Sequence, residues 1–458
     1  MMTYRGMPVQ AAPGMQSRAG DFDIEIGEPF VIAAKDENPG EGHLVTPFLY
    51  DLNGVLRLSW SFDRDVLDRA LPDRPYGRFS FDGGHSWRTH AELVEERGAD
   101  ASPTRELVPR WTALSSDSHL LGLGNGAVVS FYRCAFESPN RPGYYVVPTW
   151  LSQDNGVTWG PMDWTKLHLP GTRGYDPYDP PEPAKTVKQG NSHASPPPFI
   201  EAFVRAVSPR RLPGISIHPQ LITQDGTIHS FTCGRHPQAP PEGADPTDPD
   251  AVFAATNWRR YAVRHHTSDD AGRTWVYRGV IIHGADYEDE IDFHPGDGFT
   301  EPAPAAFPDG EWVMALRAGH FRPLYLIRSH DGGESWSDPA QLPIRGIKPQ
   351  LEVLENGALV LGTGRPDCTV HISNDRGRTW ADHEVLYTVG REGPGALHWP
   401  HGTPDRYSNS HCNVTMCKTG ANTVLYVHDA TRPDPTEGHR WLRKHGHGLI
   451  IGRFITVT

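Results

Sequence analysis

Glu301 and Arg317 stand at equal distances on either side of Asp309, in the stretch GFTEPAPAAFPDGEWVMALR. Two short apolar segments flank a Pro-Asp-Gly turn, so the stretch reads as an antiparallel hairpin whose equidistant residues lie side by side. A carboxylate beside a guanidinium can be a cross-strand ion pair, or a base and an anion anchor within one site. Five further stretches have the same form, and the same arithmetic brings chemically active side chains to their open ends. His43, Val45, Asp63 and Arg64 meet in the first, Arg133 in the second, and His218 and Arg235 in the third. Lys348 and Arg365 meet in the fifth, and Tyr407, His411 and His428 in the sixth. If the hairpins point the same way around a ring, these groups converge on one mouth. Arginines gathered with carboxylates, histidines and a tyrosine suit a pocket for an anionic sugar.

The elements that would carry them are legible as repeats. The pattern S-x-D-x-G-x-[ST]-W occurs five times, as SFDGGHSW (80–87), SQDNGVTW (152–159), SDDAGRTW (268–275), SHDGGESW (329–336) and SNDRGRTW (373–380). The Asp can accept backbone N–H bonds in a turn, the Gly suits a positive φ, and the Trp returns to pack on the adjoining sheet. Before each box lies an inner hairpin: TPFLYDLNGVLRLSW, HLLGLGNGAVVSFYR, IHPQLITQDGTIHSFTCGR, EPAPAAFPDGEWVMALR and KPQLEVLENGALVLGTGR. A sixth, HCNVTMCKTGANTVLYVHD, has no box after it. Two hairpins per unit make a four-stranded blade, and six units make an all-β, six-bladed β-propeller. The last blade is completed by GLIIGRFITV with an N-terminal strand near DFDIEIGEPFVIAA, which removes the exposed edges. The expected organisation is a single propeller domain over 1–458, with Pro-rich loop insertions near 168–200 and 236–256.

Bulk composition agrees. Hydrophobic residues at 37% and charged at 22% describe a chain with ample core, while 47 Gly, 43 Pro and 13 Trp favour turns and short strands over long helices. A formal charge of -13 argues against nucleic acid as a partner. Five scattered cysteines without a CxxC pair indicate neither a disulfide framework nor a zinc ribbon. The start lacks an apolar leader segment and no run of about 18 apolar residues occurs, so no membrane partner and a cytoplasmic location are expected.

The boxes resemble the Asp-boxes, or BNR repeats, of the sialidase superfamily, whose fold is the six-bladed propeller. In that family the boxes lie at the rim, which implies a structural role for Asp82, Asp154, Asp270, Asp331 and Asp375. Retaining sialidases use a tyrosine nucleophile with a glutamate beside it, an aspartate acid/base and three arginines on the substrate carboxylate. The resemblance implies Glu301 and Arg317 for the glutamate and one arginine, and Tyr407 in RYSNS for the nucleophile. It implies Arg64 and Asp68, in SFDRDVLDRA, for an auxiliary arginine and the acid, with Arg365 in GTGRPD as another carboxylate-binding arginine. His43, His218, Arg235 and His411 complete the expected substrate-binding set. One departure stands out: the family's first arginine, in an Arg-Ile-Pro segment, is replaced by Val45 in HLVTPFLY, with His43 the nearest cationic candidate.

The expected activity is exo-hydrolysis of a terminal acidic sugar, a sialic acid or a related nonulosonic or uronic acid, with no cofactor and no metal. Two other readings stand beside it. A uronide lyase on the same propeller would use a His or Tyr base with Arg, or a divalent metal, to neutralise the acid. A carbohydrate-binding propeller without catalysis would need only the pocket.

Overall fold

A computed structural model describes residues 3–4, 7–8, 14–19, 21–34, 44–62, 77–96, 118–132, 136–138, 141–160, 163–167, 216–223, 225–235, 260–293, 298–319, 322–365, 367–381, 384–388, 413–432 and 447–458. The Pro-rich insertions lie outside the described residues. Six inner strands, Leu44–Leu52, Ser118–Gly124, Ser216–Ile222, Thr300–Ala306, Ile347–Val353 and Val414–Gly420, each pair antiparallel with the next strand of their own blade. Each inner strand also touches the inner strand of the following blade, and the last touches the first, so the ring is closed. This is the six-bladed propeller that the hairpin count requires.

Ring closure uses both ends of the chain. The C-terminal strand His447–Val457 pairs with Thr423–Arg432 on one side and with Phe22–Ile26 and Phe30–Ala34 on the other. Blades 1, 4 and 5 are separate four-stranded sheets. Blades 2 and 3 are joined, because Asp163–Leu167 pairs parallel with Thr274–His283 through Lys166 and Leu167. Among the described residues no helix is long and apolar enough to cross a membrane.

Each Asp-box closes its turn in the same way. In blade 4, Asp331 accepts the Ser335 N–H at 2.9 Å and the Ser329 hydroxyl at 2.8 Å, while the Gly333 N–H donates to Ser329 Oγ at 2.8 Å. Hydrogen bonds from the Ser335 hydroxyl and N–H hold Asp331 down at about 2, and the equivalent Ser86 donors do the same for Asp82. The box also docks on the preceding blade. Gly272 has φ 79°, and a Cβ there would lie 2.3 Å from the Phe131 ring of blade 2. Glycine is therefore required twice over, for its backbone and for the approach. The tryptophans do reach the adjoining sheet: Trp275 meets Phe131 edge-on at 5.7 Å, and Trp336 meets Phe231 of blade 3 at 6.0 Å. The box aspartates are thus occupied in holding turns, at the end of the blades opposite the mouth.

Candidate active site

Four inner strands break register at the mouth end in one way. The slips fall between Val45 and Phe48, Ile217 and Gln220, Thr300 and Ala303, and Ile347 and Gln350. Each skipped pair is a residue followed by proline: Thr46-Pro47, His218-Pro219, Glu301-Pro302 and Lys348-Pro349. Proline has no N–H for the ladder, so the strand bulges and the residue before it swings out of the pleat. Thr46, Glu301 and Lys348 consequently hold φ of 53°, 50° and 47°, and Arg365, also before a proline, holds 45°. Such backbone costs about 1–3 kcal/mol per residue and collects at functional sites.

The bulge corrects the expected pairing in blade 4. Arg317 lies opposite Thr300 in the ladder rather than opposite Glu301. Glu301, displaced into the bulge, still reaches it: Oε1 accepts from Arg317 Nη1 at 2.6 Å. Oε2 accepts the Lys348 N–H of blade 5, also at 2.6 Å. Lys348 then spans the mouth to blade 1, where its ammonium donates to the Pro47 carbonyl at 2.7 Å and sits 4.0 Å from the Phe48 ring centroid.

Blade 6 supplies a buried carboxylate to the same belt. Asp429 accepts the Thr46 N–H at 2.8 Å, the Asn413 N–H at 2.9 Å and Asn413 Nδ2 at 2.8 Å. Arg365, itself buried, donates to Asn413 Oδ1 at 3.4 Å. The belt therefore runs from Arg317 through Glu301, Lys348, Thr46, Asp429 and Asn413 to Arg365, across blades 4, 5, 1 and 6.

The electrostatics divide the two carboxylates. Burial pushes Glu301 upward, but the Arg317 charge, the Lys348 N–H and the Arg365 field outweigh it and hold it below the ordinary glutamate value. Burial wins at Asp429, which is raised despite the Asn413 and Thr46 donors. Burial also depresses His428 to about 3, helped by Arg453, so its imidazole is neutral at ordinary pH. That histidine, expected at the mouth, is fully buried.

Of the expected site residues, the structure brings Glu301, Arg317 and Arg365 into this belt. His218 lies in the blade 3 bulge and Arg235 at the mouth end of Ile228–Arg235, both placed by their backbone. Tyr407, Asp68, Arg64, His43 and His411 lie outside the described residues. From the sequence Lys348 was expected at the mouth without an assigned role, and Thr46, Asn413 and Asp429 were not expected there. A signal for the first two was present, because the dipeptides TP, HP, EP and KP recur at the same place in four inner strands. Asn413 and Asp429 were reachable by counting outward from the blade 6 turn.

Repeats, ring closure and a strained polar mouth together define an Asp-box β-propeller. Residues 219–420 match the family model described as a BNR repeat-like domain. These residues, a little under half of the chain, carry a BNR repeat-like domain within the six-bladed propeller. Among solved structures it is similar to a protein of unknown function from Dyadobacter fermentans DSM 18053, at 17% identity over 95% of this chain and 99% of that one, with a TM-score of 0.53. It is also similar to the Hadza microbial sialidase Hz136, at 13% identity over 93% and 68% of the two chains, TM-score 0.48. The α-L-arabinofuranosidase Arb93a of Fusarium graminearum is 11% identical over 90% and 93%, TM-score 0.47. At 17% identity, the likeness to the first of these is one of fold. No curated protein sequence matches the chain.

Proposed function

We propose that this protein is an exo-acting glycoside hydrolase that removes a terminal acidic sugar, a sialic acid or a related nonulosonic or uronic acid. The observation that carries the reading is Glu301, an ionised carboxylate fixed by Arg317 and Lys348 on strained backbone at the mouth. A phenol is a weak nucleophile at neutral pH, since its ordinary pKa is about 10. An ionised glutamate beside it draws off the proton, and guanidinium groups stabilise the phenolate. In this reading Tyr407 is that nucleophile, Glu301 its base, and Asp68 protonates the leaving oxygen and later activates water. Arg317, Arg365 and Arg64 then take the sugar carboxylate.

The test is a panel of fluorogenic aryl glycosides of sialic, other nonulosonic and uronic acids, with neutral glycosides as controls. Release of fluorophore from one acidic member, with retention of configuration by proton NMR, supports the reading. Cleavage restricted to neutral glycosides overturns it. One observation favours a lyase as the second reading: His218 occupies the blade 3 bulge equivalent to that of Glu301. A lyase acting on a uronide leaves an unsaturated product that absorbs in the ultraviolet, and a hydrolase does not.

A further inference from the structure

The Asp-box face carries a second recess, remote from the mouth. A cleft of about 710 Å³ is lined there by residues of blades 3 and 4, within the roughly 300–1,000 Å³ of small-molecule sites. His229 in this cleft and Arg235 at the mouth sit at opposite ends of one strand, roughly 20 Å apart at about 3.3 Å per residue.

The floor of the cleft is a stack of imidazoles. The rings of His229 and His265 lie 5.1 Å apart at 21°, and His229 meets Trp312 edge-on at 4.8 Å. His229 Nδ1 and His265 Nε2 are 2.9 Å apart. One of these two nitrogens donates to the other, so His229 Nε2 accepts in one tautomer and donates in the other, and a hydroxyl can serve either. His229 is 9% exposed and lines the cleft, and among the described residues no hydrogen bond engages its Nε2.

The walls decide the kind of ligand. Asp225 and Asp331 spend oxygens on the Thr227 and Ser335 N–H groups, and Asp269 and Glu334 stand exposed at the edge. Against these four carboxylates stands Arg278, steadied by its Nε bond to Thr267 Oγ1 at 2.8 Å. That balance repels anions. Among the described residues no three His, Cys, Asp or Glu side chains converge closely enough to hold a metal ion. Half-buried Trp336 and Val280, 36% exposed, add apolar surface beside the polar groups. Donors, acceptors and small apolar faces at short range suit an uncharged, hydroxyl-rich ligand.

We propose that this cleft is a secondary binding site for a neutral saccharide. His229 Nε2 bonds one sugar hydroxyl, Arg278 and the edge carboxylates bracket others, and Trp336 with Val280 covers the C–H face of the ring. The site is independent of the chemistry assigned to the mouth, and it gives the blade 4 box a second use beyond holding its turn.

Saturation-transfer NMR on the full chain with maltotriose, cellotriose, xylotriose and lactose tests this. At least one should bind saturably, and His229→Phe and the exposed Arg278→Ala should each weaken it about tenfold, the worth of one hydrogen bond. Arg317→Ala, at the mouth, should leave that binding unchanged. Binding of none of the four, or binding lost in Arg317→Ala and kept in Arg278→Ala, overturns the proposal. Saturable binding of spermidine at the cleft in place of every saccharide does so too.

Discussion

Replacing Glu301 with glutamine keeps the side-chain shape and removes its charge. Two contacts of 2.6 Å end on this carboxylate, one from Arg317 and one from the Lys348 N–H. An amide has one oxygen, so it serves one of these donors and turns its NH₂ toward the other. A hydrogen bond to a charged group is worth about 1.5–3 kcal/mol. The Glu301 side chain is 32% exposed, so solvent screening places the loss near the lower end, about 2 kcal/mol. For 458 residues, an unfolding entropy of about 2.1 cal/mol/K per residue makes each kcal/mol worth roughly 1 °C. A fall in Tm of about 2 °C is expected by differential scanning fluorimetry. The same substitution should lower kcat on the preferred acidic glycoside by about 10²–10⁴-fold, the usual worth of a positioned general base. KM should change little, since Arg317 and Arg365 remain. A variant with reduced Tm and intact kcat would show that Glu301 only braces the blades, and would refute its assignment as the base.

Three further outcomes follow from other parts of the belt and ring. Lys348→Met keeps the N–H to Glu301 but loses the ammonium at Pro47 and Phe48; loss of a charge-assisted contact of about 1.5–3 kcal/mol should lower Tm by about 2 °C, and an unchanged Tm would deny that Lys348 ties blade 5 to blade 1. Burial, with His229 and Arg278 nearby, depresses His265 to about 4, and burial depresses His428 to about 3. The unfolded chain therefore binds protons that the folded one refuses, and stability is lost as pH falls from about 6.5 toward 4, on the order of 3 kcal/mol from His265 alone. Urea midpoints that stay flat across that window would contradict this. Gly272→Ala combines φ 79° with a 2.3 Å approach to Phe131, whereas Gly54→Ala has φ 84° and open space; the first should cost about 2–4 kcal/mol and the second about 1, and equal losses would deny that the box docks on the neighbouring blade.

Much of the ring was readable from short-range signals. The N-G and D-G turns, the alternating apolar flanks and the five boxes each span fewer residues than one blade, so their chemistry acts within the segment that spells it. The pairing of GLIIGRFITV with the N-terminal strand was also legible, because an unpaired blade needs a fourth strand. The site was legible only in part. Glu301, Arg317 and Arg365 were found by counting from their turns, but counting assumes an unbroken ladder. The prolines break it, which moved Glu301 off the rung opposite Arg317.

What the sequence by itself determined is the blade count, the boxes and the place of Glu301, Arg317, Lys348 and Arg365 near the open ends of their hairpins. Only the tertiary structure decided which of them touch. Thr46 and Asp429 are 383 positions apart and joined at 2.8 Å, and Lys348 reaches Pro47 across 301 positions. No local pattern encodes such contacts, because they exist only once the ring has closed and strained bulges from different blades face one another across the mouth.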